Sequence, residues 1–240
     1  MSEPKIYVPD VGIHNKDLDS SVNRLEKSKS YRDLSTIIIC PTRGQIPARV
    51  VQSWMGLMRP MNQKVIGPIF ISGMEVGAAY NAGIEMILAH PDLSQYKYIL
   101  TVEEDNMPPA DGLLKLYESM EKYDVVQGLY WTKGEGGQPM IYGDHNVMPK
   151  NFIPQVAQLN TIQHCNGLGM GFNLFKLDIF KDSDVPKPWF KTVQEVVGGG
   201  ARAYTQDLYF YENASKCGYM FACDTRVKVG HYSFAEDIVW

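Results

Sequence analysis

A chain of 240 residues, 45% hydrophobic and 21% charged, has the composition of a globular protein with room for a substantial core. Its net charge of −4 argues against a broad, non-specific grip on DNA or anionic lipid, because there is no basic excess to release counterions. The four cysteines, Cys40, Cys165, Cys217 and Cys223, show no CxxC pairing and read as free thiols, not as a zinc cluster. The N-terminus is polar and carries no signal-peptide core, and no apolar run reaches the length of a membrane span. A cytoplasmic protein is the expectation.

Residues 1–33 form a polar appendage with a short helix expected over Ser20–Tyr31, ahead of a single domain over 34–240. Thr36–Cys40 is β-branched and stopped by Pro41, the pattern of a buried first strand. Helical spacing follows over Ile46–Met58, then a second strand over Val65–Ser72 that Pro68 should break, and a helix over Met74–Ala89. A third strand is expected at Tyr98–Val102, a helix at Ala110–Lys122 and another strand at Asp124–Tyr130. This alternation implies a mixed, mainly parallel α/β sheet with helices on both faces. The second half is looser. Residues 133–165 are rich in Gly, Pro and Asn, and a Gly-spaced apolar segment follows over Asn166–Phe175. A glycine-rich loop, Gly198–Gly200, precedes a helix over Thr205–Lys216 and a last strand over Arg226–Val229 that leads into His231. A nucleotide-binding half over about 34–132 and an acceptor-binding half over about 133–240 fit this layout.

The most informative cluster is Glu103-Glu104-Asp105-Asn106, placed directly after the third strand. Carboxylates at the carboxyl end of a buried strand lie where α/β proteins bind ligands. Their oxygens suit Mg²⁺ or Mn²⁺, ions that travel with phosphates. A plain acidic turn capping the next helix is the simpler alternative. Arg43 offers a fork for a phosphate, Thr42 a hydroxyl for a base edge, and Trp189 with Phe190 a flat apolar face for a sugar or base.

In order along the chain, several motifs resemble those of GT-A-fold glycosyltransferases, especially the family-2-like enzymes and their phage-encoded relatives. They are Pro41-Thr42-Arg43-Gly44, Ala79-Tyr80-Asn81, Glu103-x-Asp105, Gly128-Leu129-Tyr130-Trp131 and Asn166 to Phe172. Pro188-Trp189-Phe190, Thr205-Gln206-Asp207 and Val229-Gly230-His231 complete the series, which spans about residues 35–232.

The resemblance implies a GT-A-like fold and metal-dependent transfer of a sugar from a UDP- or GDP-sugar to an acceptor hydroxyl. It places Asp105 and His231 as ligands of Mn²⁺ (or Mg²⁺), with Pro41, Thr42, Arg43, Asn81 and Glu103 on the nucleotide. Glu104 would point to the opposite face or cap the next helix. Arg202 would reach the diphosphate from a closing loop, and Trp131, Gly169 and Trp189 would line the sugar or acceptor pocket. Asp207 is implied as the base of an inverting reaction, a role that its place in a helix first turn explains equally through the helix dipole. A retaining enzyme would need no such base.

Three departures stand out from the family pattern: Glu103 for Asp, Tyr80 for Arg, and Gln206 for an acid. They keep open a non-catalytic nucleotide- or carbohydrate-binding protein of the same fold. A sugar-nucleotide pyrophosphorylase is a weaker alternative, since the loop after strand one has a single glycine. The acceptor remains open among a glycan, a protein and a hydroxylated DNA base. The compartment would be the host cytoplasm if the chain is phage-encoded.

Overall fold

Every residue from Thr36 to Pro41 is buried, which requires a strand covered on both faces. A computed structural model of the protein describes residues 32–197 and 200–240, with side chains described outside 195–204. The helix expected over Ser20–Tyr31, and all but the end of the polar appendage, lie outside the described residues.

The elements in chain order are β1 (Thr36–Thr42), α1 (Ala48–Met55), β2 (Val65–Ser72), α2 (Val76–Ala89), β3 (Tyr98–Val102), β4 (Asn106–Met107), α3 (Gly112–Ser119) and β5 (Val125–Leu129). The short strands β6 (Ile141–Tyr142), β7 (Ile162–Cys165), β8 (Gly167–Leu168) and β9 (Phe172–Lys176) follow. The hairpin β10 (Val193–Val197) and β11 (Gly200–Tyr204) leads to α4 (Gln206–Lys216), β12 (Phe221–Lys228), β13 (Gly230–Ser233) and β14 (Ile238–Val239).

Seven strands form the main sheet in the order β2-β1-β3-β9-β5-β12-β7. β1, β2, β3, β5 and β12 run one way, while β9 and β7 run against them. The sheet is therefore mixed and mainly parallel. Side-chain alternation along β1 divides the core. Ile37 and Ile39 join Tyr80, Ile84 and Ile87 of α2 and Phe210 and Tyr211 of α4 on one face. Ile38 and Cys40 join Leu113, Leu116 and Tyr117 of α3 on the other.

Two expectations are corrected. Pro68 does not break β2, because β2 is an edge strand, where a missing N–H costs no ladder bond; the β1–β2 register shifts there instead. The Gly-spaced segment after Asn166 ends in β9, inserted between β3 and β5, so the two halves of the chain share one sheet. The stretch around the triple glycine is a β-hairpin in its backbone, with Glu195 opposite Arg202. All four cysteines are free, and only Cys217 is not fully buried. Among the described residues no helix is long and apolar enough to cross a membrane.

Candidate active site

The carboxyl end of β3 runs into Glu103, Glu104 and Asp105, and the three carboxylates take three different environments. What sets Asp105 beside His231 is a short ladder. Asn106 of β4 pairs antiparallel with His231 of β13, and the Tyr232 N–H donates to the Asp105 carbonyl at 2.7 Å. β13 is held in turn by reciprocal backbone bonds between His231 and Trp240, each 3.0 Å.

His231 Nδ1 lies 2.7 Å from the Trp131 carbonyl, which can only accept, so Nδ1 carries the proton. In the neutral ring Nε2 then presents its lone pair, and it faces Asp105 Oδ2 at 3.6 Å. The ring is braced edge-on by Tyr130, with centroids 5.5 Å apart. Donation of one ring N–H to a backbone carbonyl, which leaves the other nitrogen to bind, is an arrangement that metal-binding histidines share. The second neighbour of Asp105 Oδ2 is Lys133 Nζ, at 2.5 Å. Burial works to raise the Asp105 pKa, but its neighbours His231 and Lys133 outweigh it and hold the carboxyl below its ordinary value.

Among the described residues no three His, Cys, Asp or Glu side chains converge as a ready-made metal cage. One carboxylate and one imidazole nonetheless fit a hard divalent cation that completes its shell with phosphate and water oxygens. The nitrogen ligand favours Mn²⁺ over Mg²⁺.

Glu103 turns the other way. Tyr80, fully buried, aims its hydroxyl at Glu103 Oε1 over 3.4 Å. Withdrawal from water, then the charges of Asp105 and Asp207, push Glu103 up to about 8, so at neutral pH it is largely a neutral acid able to donate a hydrogen bond.

Glu104 does not cap the next helix; it turns away from Glu103 toward the loop after β1. Its Oε2 accepts from Thr42 Oγ1 at 2.7 Å and from the Arg43 N–H at 2.8 Å, and its Oε1 pairs with Arg43 Nε. Burial would raise its pKa, but the bonds from Thr42 and Arg43 outweigh this and hold it below the usual range. Glu104 is thus the latch of the loop after β1. The rest of the Arg43 guanidinium remains open to water, the side chain being 84% exposed. Glu104→Ala is expected to cost about 1–2 kcal/mol of stability, read by urea unfolding.

Asp207 sits in the first turn of α4 and is 5% exposed. Burial raises its pKa, against hydrogen bonds from the Thr205 side chain and the Leu208 N–H that lower it. Its charge reaches Glu103, Tyr130, Tyr142 and Tyr211, which places it above the same end of the sheet as the acidic cluster.

Other expected contacts are taken up by the fold. Asn81 Nδ2 donates to the carbonyls of Gly77 (2.8 Å) and Phe190 (2.7 Å), and its Oδ1 accepts from the Phe190 N–H at 3.1 Å. It is a strut between α2 and the 188–190 segment, with both amide N–H groups already spent on carbonyls. Trp189 is 1% exposed, packs edge-on against Phe180 and carries Lys187 Nζ over its ring at 4.5 Å, so its ring is not open to a sugar. Gly169 is buried under Tyr130: a Cβ there would lie 2.1 Å from the Tyr130 hydroxyl, which receives the Gly171 N–H at 2.9 Å. Gly169→Ala should therefore displace Tyr130 and lower stability by about 1–3 kcal/mol, read as a lower urea midpoint. Pro41 is buried at the end of β1. Trp131, whose carbonyl takes the His231 bond, lines an open cleft of about 420 Å³ with Gln138, Pro139, Pro154 and Gln155. The Arg202 side chain, and the contact expected of it, lie outside the described residues.

Sequence reasoning missed Lys133 and the latch role of Glu104. Lys133 sits on a turn closed by the Trp131–Pro139 bridge and by a Thr132 N–H to Gln138 carbonyl bond of 2.9 Å, a three-dimensional fact without a sequence signature.

Neither a protein-family model nor a curated protein sequence matches the chain. Solved structures do share its shape. A197 from STIV aligns with a TM-score of 0.59 at 16% identity, over 85% of this chain and 92% of that one. GalNAc-T7, crystallised with UDP, GalNAc and Mn²⁺, aligns with a TM-score of 0.55 at 10% identity, over 84% of this chain but 44% of that one. With the sheet order and the acid cluster at the end of β3, these likenesses give the chain the GT-A-like fold of nucleotide-diphospho-sugar transferases.

Proposed function

We propose that the chain is a metal-dependent glycosyltransferase that moves a sugar from a UDP- or GDP-sugar to an acceptor hydroxyl. The observation that carries this reading is the pairing of Asp105 Oδ2 with the lone-pair nitrogen of His231 at the carboxyl end of a GT-A-like sheet. A structural neighbour crystallised with UDP and Mn²⁺ supports it at the level of the fold. In this reading residues 34–240 are one catalytic domain, with the donor side before about residue 132 and the acceptor side after it.

Asp105 and His231 hold Mn²⁺ or Mg²⁺, which when bound stabilises the negative charge that builds on the departing diphosphate. The loop latched by Glu104 presents Thr42 and Arg43 to the nucleotide, and the exposed guanidinium of Arg43 is available to phosphate oxygens. Glu103, as a neutral acid, donates to a donor hydroxyl. Asp207 takes the proton of the acceptor hydroxyl as its oxygen attacks the anomeric carbon. The bond from that carbon to the diphosphate breaks with its electron pair leaving on the nucleotide, and a single displacement inverts the configuration. Trp131 and the cleft beside it receive the acceptor.

The test is nucleotide release from a panel of UDP-, GDP- and CMP-sugars, with Mn²⁺ or with EDTA and across a set of acceptors. Release from one donor that requires the metal supports the reading. Binding of nucleotide without turnover of any donor would favour a non-catalytic binding protein.

A further inference from the structure

We propose that Lys133 is a tethered counter-ion of Asp105 that a divalent cation must displace in order to bind. The inference rests on the reading of Asp105 and His231 as the cation's ligands and adds a residue that sets the affinity of that site.

The ammonium of Lys133 lies 2.5 Å from Oδ2, the same oxygen that faces His231 Nε2 at 3.6 Å. With Nδ1 protonated by its bond to the Trp131 carbonyl, Nε2 of the neutral ring and Oδ2 are both acceptors, a pair that one divalent cation would satisfy together. A metal ion that bonds to Oδ2 would be brought against the ammonium at hydrogen-bond distance from the same atom. Two positive charges that close repel strongly in a site partly shielded from water, so both cannot hold this oxygen at once.

The position of Lys133 makes exchange inexpensive. Its side chain is 34% exposed, and its turn contains Gly134 (φ 101°) and Gly136 (φ 76°), neither with a neighbour that would crowd a Cβ. A lysine on a four-carbon stem is a mobile point charge that releases an acceptor without a fork of bonds to break. Lys133 thus weakens the site for a divalent cation.

The test is titration of Mn²⁺, alone and with UDP, into the full chain, followed by calorimetry and by the loss of the free-ion paramagnetic resonance signal. Wild type, Lys133→Met and Lys133→Arg are compared. Lys133→Met is expected to bind Mn²⁺ about three- to fivefold more tightly, as removal of a partly screened competing ion pair allows, while Lys133→Arg stays within about twofold of wild type. Equal or weaker Mn²⁺ binding by Lys133→Met, with binding by wild type intact, would overturn the competition and leave the metal site standing. No Mn²⁺ binding by any of the three, with or without UDP, would overturn the metal site itself and this inference with it.

Discussion

Asp105→Ala should abolish metal-dependent nucleotide release, by about a thousandfold, while the protein remains folded. The size of the effect follows from the role of the group. Departure of a nucleoside diphosphate concentrates charge at one end of the breaking bond, and loss of a preorganised element that stabilises such charge costs about 10²–10³ in rate. Asp105 is the carboxylate that faces His231 Nε2, and its removal leaves one protein ligand. The cost to folding is small, because its side-chain bonds to Lys133 and His231 lie at a partly exposed rim, where ion pairs contribute about 0–1 kcal/mol. The backbone bond from Tyr232 to the Asp105 carbonyl survives the change, so β13 stays in place. Mn²⁺-dependent release, measured beside a thermal melt, separates the two effects. A melt shifted by several degrees would mark a structural role; near-wild-type release would remove Asp105 from the reaction.

The second large effect is expected at Asp207. Loss of a general base lowers turnover by about 10²–10⁴-fold, and Asp207→Asn keeps the shape and the Oδ1 that accepts from the Leu208 N–H. Donor binding should persist, so the loss falls on kcat and not on KM for the sugar nucleotide. The pH profile gives an independent check. Burial raises the Asp207 pKa, so the active, ionised base disappears as pH falls through a value above the ordinary aspartate range. The acid limb of kcat should lie correspondingly high and should vanish in Asp207→Asn.

Stability carries the opposite sign. A folded-state pKa above the unfolded one gives stability that is complete below the unfolded value and is lost as pH rises through the folded value. Wild type should therefore lose stability as rising pH ionises the buried Asp207 carboxyl, a loss that Asp207→Asn should not show. A variant that is slower and also less stable at neutral pH would place Asp207 in the structure of the helix first turn and not in the chemistry.

The legible parts of the fold are those where one residue pattern has one solution. Thr36–Cys40 is apolar on both faces and could only be a central strand, and Tyr98–Val102 followed by three acids could only put carboxylates at the sheet's end. β12 was underread because Asp224 and Thr225 sit in it fully buried. Their charge and hydroxyl are satisfied by Arg226, which lies 2.6 Å from Asp224 Oδ2, and by the carbonyls of Gln158 and Thr161. A polar pair of that kind reads as a loop until its partners are known. β9 was hidden among glycines for a related reason: its central Asn173 is buried and bonded to the Gly169 carbonyl and the Tyr211 hydroxyl.

The site divides in the same way. Asp105 and His231 are far apart in sequence, and a ladder between two-residue β4 and β13 brings them together, too short to leave a periodic trace. Residue type named candidates well and faces poorly. Asn81 and Trp189 have the chemistry to hold a nucleotide or a sugar, yet the fold uses one as a strut and the other as core. Glu104 and Lys133 show the converse. Both are ordinary surface residue types that only the folded chain turns into a latch and a counter-ion.

The most direct measurement is anomalous diffraction at the manganese edge from crystals grown with UDP and Mn²⁺. The account predicts one strong peak about 2.2 Å from both Asp105 Oδ2 and His231 Nε2, touching the diphosphate, with Lys133 Nζ moved off the carboxylate. A diphosphate bound with its cation away from both residues, or bound at this end of the sheet with no cation while Lys133 keeps its place on Asp105, would contradict it.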